Sequence, residues 1–315
     1  MPLSAHARAT AQIHLCVLLW GFTPILGKLI SLAALPLVWW RMLLVTATLA
    51  LLPRVWAGLR ALPGPMLLGY AGIGALVSLH WLTFYGAVKL ANASVAATCL
   101  ALAPACTSVI EPWLARRPFS SKELFFGIAT LPGVALVVGG VPDGMRAGVA
   151  VGALSALLVA VFGSLNKRMV HGAEPLTVTA LELGAGTLLL TLLAPLMPWI
   201  FPNFAGALFV LPGLADLGFL LTLSLACTLL PFALSLVALR QLSAYAVQLI
   251  TNLEPVYAIA LAIVLFGEQR ELRWPFYLGV VIILLAVFLQ PLVGRRRRVQ
   301  HPEILGTSEA HGIVD

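Results

Sequence analysis

Four ionisable side chains, Arg41, His80, Glu182 and Glu254, stand inside apolar runs of this sequence. A charge at membrane depth costs roughly 2.5 kcal/mol or more, so it persists where it faces a cavity or a partner. The richest stretch runs from Gln248 to Glu268, QLITNLEPVYAIALAIVLFGE. It is apolar enough to cross a bilayer, yet its first half carries Gln248, Asn252, Glu254 and Pro255. At about 100° per residue, Tyr245, Gln248, Thr251, Asn252, Glu254 and Pro255 fall on one half of a helical cylinder. Ile, Leu, Val and Ala fill the other. One side therefore faces a polar interior, and Pro255 kinks the span by removing a backbone hydrogen bond. Gln248 and Asn252 read as cavity lining. Glu254 would bind a proton or a cationic group, or make a structural hydrogen bond beside the kink.

The segment His80-Trp81-Leu82-Thr83-Phe84-Tyr85 offers a second candidate face, because three- and four-residue steps put His80, Thr83 and Phe84 together. Two readings stand. Either these residues line a cavity, rings against an apolar solute with an imidazole to hydrogen-bond or titrate, or His80 is structural and Trp81 and Tyr85 are belt aromatics. Trp20 is cavity wall or ordinary packing; it and Asn166 sit on the first and sixth spans, which the repeat described below makes equivalents. Arg41 is within snorkelling distance of a span end. Glu182 has no such escape and is a coupling group or a structural one. Glu111 is expected to pair with Arg116 or Arg117. No HExxH, GxSxG, P-loop or acidic metal cluster occurs, so no metal, cofactor or catalytic centre is implied. The polar residues are spread over several helices, as suits a solute path.

Apolar segments must hold these side chains. Of 315 residues, 61% are hydrophobic and 10% charged, against about 25% charged in soluble domains. The solvent is lipid, and the fold class is all-α, a polytopic membrane protein. At about twenty residues per crossing, ten spans fit, near 12–30, 36–53, 65–87, 92–114, 122–140, 147–167, 175–200, 212–238, 243–266 and 274–293. Arg8 ahead of the first span could suggest a signal peptide, but that span has a later counterpart and is retained. The net charge of +7 implies no nucleic acid. Its largest run, Arg295 to Arg298, is a juxtamembrane anchor for anionic lipid, followed by a polar tail, 299–315, expected to be disordered. Cys16, Cys99, Cys106 and Cys227 lie in apolar segments without CxxC spacing and read as small hydrophobes. With the N-terminus inside, 13 of 19 Lys and Arg fall in cytoplasmic loops and five outside, so both termini are expected in the cytoplasm.

The halves resemble each other. A shift of 151 residues puts Ala87-Val88-Lys89 on Ala238-Leu239-Arg240, Ala93 on Ala244 and Pro104 on Pro255; earlier, a shift of 139 puts Lys28 on Lys167 and Pro36-Leu37 on Pro175-Leu176. Five spans per half force opposite orientations, the inverted repeat of many secondary transporters. The expected units are 1–143, 144–294 and the tail 295–315.

Leu19-Trp20-Gly21-Phe22 with Lys28, then Pro36 to Arg41, then Asn252-Leu253-Glu254-Pro255 leading to Leu265-Phe266-Gly267-Glu268, and Gly279 in the last span, together resemble the EamA-like members of the drug/metabolite transporter superfamily. In the first half, Ala115-Arg116-Arg117 stands where the Gly-Glu pair would be, and Glu111-Pro112 appears instead. The resemblance implies two inverted five-helix repeats around a central cavity, lined by spans one, three, four, six, eight and nine. It implies a transporter, commonly an exporter of amino acids, metabolites or drugs, in a bacterial inner membrane. The partners expected are a small-molecule solute and lipid, with coupling, where there is any, to protons or a counter-solute, in a monomer or weak dimer. The competing reading is an intramembrane enzyme acting on a lipid. It requires His80, Glu182 and Glu254 to converge within hydrogen-bond reach.

Overall fold

The computed structural model describes residues 4–294, and those residues contain helices and loops without strands. Every expected crossing falls on a helical segment. The spans are Ala5–Leu29, Ala34–Ala50, Gly64–Leu90, Ala93–Leu114, Ser121–Gly140, Asp143–Met169, Pro175–Leu193, Leu214–Leu239, Ala244–Phe266 and Trp274–Gly294, numbered one to ten here. Eight are both long and apolar enough to cross a membrane. The second, at 17 residues, reaches a ninth crossing when joined to the helix Pro53–Ala61, from which it is bent by 94°. The tenth is helical over 21 residues, Trp274–Gly294. The basic run and the tail lie outside the described residues.

Two departures from the expected boundaries have local causes. The seventh span stops at Leu193, and a separate turn of helix, Met197–Ile200, follows Pro195. The helix Pro53–Ala61 begins on a proline, exposes Arg54 and Arg60, and buries Val55. Its bend turns it away from the second span's axis.

Five spans break at prolines, which lack an N–H and clash with the carbonyl four residues back; the first divides ahead of Pro24 and the fifth ahead of Pro132. The fourth tightens to a 3₁₀ turn at Leu100–Leu102 ahead of Pro104. The ninth divides into Ala244–Thr251 and Glu254–Phe266 ahead of Pro255. The eighth widens into a π-helix at Thr222–Leu229 ahead of Pro231. Such irregular backbone is tolerated at membrane depth where it lines a cavity or is packed within protein.

Lipid gives helices no hydrophobic reason to associate, so small residues at crossings supply close packing. The third span meets the sixth and seventh, and the fifth meets the tenth. A Cβ on Gly74 would strike the Glu182 carbonyl, and one on Gly133 the Gly279 carbonyl. Large apolar side chains cover the outside, and Trp113 and Trp199 near span ends are more than four-fifths exposed. These exposed tryptophans, not Trp81 and Tyr85, have belt positions: the latter two are buried.

Candidate functional site

A cavity of about 100 Å³ lies between the two halves. At roughly 10–15 Å³ per water centre it has room for several waters. Its walls come from spans one, two, three, four, six, eight and nine: the six expected, and the second through Arg41. Five aromatic rings stand in the wall, Trp20, Trp81, Phe84, Phe162 and Phe232, among aliphatic side chains. The ninth span contributes its first half, from Ala244 to Glu254.

Arg41 does not snorkel. Its side chain is 2% exposed and turns inward. Nε donates to Thr228 Oγ1 at 2.6 Å and Nη1 to Tyr85 Oη at 2.9 Å. The guanidinium carbon sits 3.8 Å above the Trp81 ring, a cation–π contact strengthened by desolvation. Thr228 belongs to the π-helical turn and donates to Leu223 O, five residues back, at 2.6 Å. The widened turn thus carries the hydroxyl that holds the guanidinium. Arg41 and Glu254 both line the cavity, yet neither forms an ion pair within the described residues. Glu254 is the first residue of the second helical piece of its span, where the helix dipole favours an anion.

His80 is held on one edge. Nδ1 lies 2.9 Å from Ser155 O and 2.8 Å from Ser155 Oγ, and Ser155 Oγ donates to His80 O at 3.0 Å. A carbonyl only accepts, so Nδ1 carries the proton and Nε2 is the free edge. The ring stands 5.3 Å from Phe162 and 6.4 Å from Phe84.

Of the nine side chains singled out, six meet at the cavity: Trp20, Arg41, His80, Phe84, Gln248 and Glu254. Three do not line it. Thr83 Oγ1 turns back to Leu79 O at 2.8 Å and His80 O at 2.9 Å, the usual refuge of a helical hydroxyl in apolar surroundings. Asn252 is buried at the break in the ninth span, its Nδ2 without a partner. Glu182 is fully buried one layer behind the wall, where Asn166 Nδ2 donates to its Oε2 at 3.3 Å; Asn166 itself lines the cavity. No hydrogen bond joins His80, Glu182 and Glu254 to one another.

Each end of the ninth span is tied to the other half by a buried carboxylate. At its start, Glu111 accepts from Ala244 N and Tyr245 N, both at 2.8 Å, and Arg117 Nε stands 3.1 Å from Oε2. Arg117 also pairs with Glu123. Past its far end, Glu268 accepts from Ser94 N at 3.0 Å, Ser94 Oγ at 2.6 Å and Ala93 N at 3.3 Å, and pairs with Lys28 at 2.8 Å. Both carboxylates are fully buried at the first residues of a helix, where unpaired N–H groups and the dipole favour an anion. Gly267 explains the Gly-Glu pair: its left-handed φ of 66° ends the ninth span and turns the chain so that Glu268 reaches back to the fourth. Sequence reasoning missed this role for Glu268, and for Glu111 it found only the arginine. The signal was present in the two serine- and asparagine-led helix starts, Asn92 and Ser243, which cap Val95 N and Ala246 N.

A family model described as the EamA-like transporter family matches residues 9–139 and again 146–290. The chain belongs to the EamA-like transporter family. It is a multi-pass membrane protein built from two repeats of that family. One solved structure, titled only "Crystal structure of protein", superposes with a TM-score of 0.66 at 17% identity, over 93% of this chain and 100% of that one. That likeness concerns the fold. No curated protein sequence matches the chain.

Proposed function

We propose that this chain is a secondary transporter that exports a small organic solute, an amino acid or related metabolite, across a bacterial inner membrane by alternating access. The observation that carries this reading is the cavity between the halves, with Arg41 and Glu254 on its wall and no ion pair between them. A solute with an anionic group for Arg41, a cationic group for Glu254 and an apolar body for Trp20, Trp81 and Phe84 would satisfy both charges. A binding site near the midplane between oppositely oriented repeats is the usual transporter arrangement. The repeats meet near 143/144, and both termini face the cytoplasm, as the loop charges favour. On that orientation the cavity reaches from mid-membrane toward the cytoplasmic end of the ninth span. The chain works as a monomer or weak dimer, moves the solute without covalent chemistry, and couples to a proton or a counter-solute.

The Glu111 and Glu268 ties then close opposite ends. Span nine has 23 residues, about 35 Å at 1.5 Å per residue, so one tie can release while the other holds.

Purified protein in liposomes loaded with labelled amino acids and nucleoside derivatives tests the reading. Saturable exchange of at least one compound is expected, weakened tenfold or more by Arg41→Leu. Folded protein that moves none of the panel overturns it. A metabolite profile of cells with and without the protein would name the solute.

A further inference from the structure

Glu182 is unlike the two buried carboxylates that tie the ninth span. Glu111 and Glu268 each meet backbone N–H groups and a cation. Glu182 meets one amide, Asn166 Nδ2, at 3.3 Å, and its Oε1 is buried without a partner. The second orphan of the pair is Asn166 Oδ1, likewise buried and unpartnered. Both orphans are acceptors. An ionised carboxylate here would be an unneutralised charge in a dry helix interface.

The charged and titratable groups on the packed elements are engaged elsewhere or exposed. On the third span, Tyr70 Oη donates to Met169 O at 2.8 Å, and His80 is held by Ser155. On the second, Arg41 is held by Thr228 and Tyr85. At the end of the eighth, Arg240 donates to Ala173 O at 2.9 Å. Lys167, next to Asn166, donates to Leu239 O at 2.6 Å. Arg54 and Arg60 on the helix Pro53–Ala61 are exposed.

We infer that Asn166 and Glu182 form a proton-binding site that opens on the cavity through Asn166. The proton is carried on Glu182 Oε1 as a neutral carboxylic acid. The O–H gives the amide oxygen a donor while Asn166 Nδ2–H continues to donate to Oε2, so one proton satisfies both orphaned acceptors. Because Asn166 is also cavity wall, water or a solute that competes for its amide loosens the acid's hydrogen bond and lets the proton leave to the cavity. The ligand is a proton. Its link to transport rests on the reading above; the proton on Glu182 does not.

Infrared spectra of the full chain in lipid vesicles test the site. At neutral pH a carboxylic C=O stretch is expected that disappears in Glu182→Gln and survives in Glu254→Gln. It shifts to higher frequency in Asn166→Leu, and it moves promptly in D2O because the proton exchanges with the cavity. Should Glu182→Gln not fold, the shift in Asn166→Leu makes the assignment. A Glu182 found ionised at neutral pH overturns the inference, as does a band unmoved by Asn166→Leu. A band that D2O leaves unmoved for hours overturns it too, because the proton would be sealed in. A band that behaves as expected in a protein that moves no tested solute keeps the proton site and counts against the transporter reading instead.

Discussion

The two ends of the ninth span perform the same task with different residues. At the Glu268 end, the carboxylate follows the left-handed Gly267 and caps the fourth span directly. The 151-residue shift places Gly267 on Arg116 and Glu268 on Arg117. Arg116 also has a left-handed backbone, φ 54°, and these two are the positive-φ residues of the described chain. The turn is therefore repeated, but what it delivers has the opposite charge. Arg117 brings a cation to Glu111, which caps the ninth span from within its own helix. The cation at the far end comes instead from Lys28. Even the helix starts agree: Asn92 caps Val95 N at 2.9 Å and its counterpart Ser243 caps Ala246 N at 3.0 Å. What the repeat preserves is an anion buried at a helix N-terminus with a cation beside it. Which residue supplies either is free to change.

The difference predicts unequal fragility. Glu268→Ala strands Lys28, which has no second carboxylate among its described contacts. The expected loss is about 3–5 kcal/mol, the scale for breaking a buried pair, read by denaturation in detergent. Glu111→Ala leaves Arg117 its bond to Glu123, so a smaller loss of about 1–3 kcal/mol is expected. Equal losses would erase the asymmetry.

The same pair separates the ends in function. With Ser235→Cys as a cavity reporter in a chain lacking its native cysteines, Glu111→Gln should speed thiol labelling from one side of the membrane. Glu268→Gln should speed it from the other. Each 1.4 kcal/mol taken from a tie is about a tenfold change in population. Acceleration from the same side by both variants would mean that the ties do not close opposite ends.

Smaller effects test the turns. Gly267→Ala should cost about 1–2 kcal/mol, because an L side chain dislikes the left-handed region. Arg116→Gly should return about 1 kcal/mol, since it touches no ion pair. A loss on Arg116→Gly would mean that the arginine side chain matters more than its backbone. Last, Ser243→Ala should cost about 1 kcal/mol through the lost cap, with a similar loss for Asn92→Ala.

Much of this was legible beforehand because lipid imposes simple rules. The ten helical segments follow from runs of apolar residues, and the breaks in spans four and nine from Pro104 and Pro255. His80, Phe84 and Gln248 announced themselves as polar or aromatic groups on candidate faces of their helices, while Trp20 stood open between cavity wall and ordinary packing. Arg41 was misread because its distance from a span end says nothing of direction. Snorkelling and inward burial are both open to an arginine there, and Thr228, Tyr85 and Trp81 decide between them. Thr83 was misread for a related reason: a hydroxyl on the right face can satisfy itself on its own helix.

The sequence by itself determined that this chain crosses a membrane repeatedly, that its halves repeat, and that a few costly side chains need shelter. Those conclusions depend on composition and on period along one helix, which are local. Only the tertiary structure decided that Glu111 and Glu268 cap helices of the opposite repeat, that Arg41 joins the cavity, and that Glu182 lies behind it on Asn166. A carboxylate's partner in a low-dielectric interior depends on which helix end arrives beside it, and residues 133 and 174 positions apart in the chain carry no local sign of that meeting.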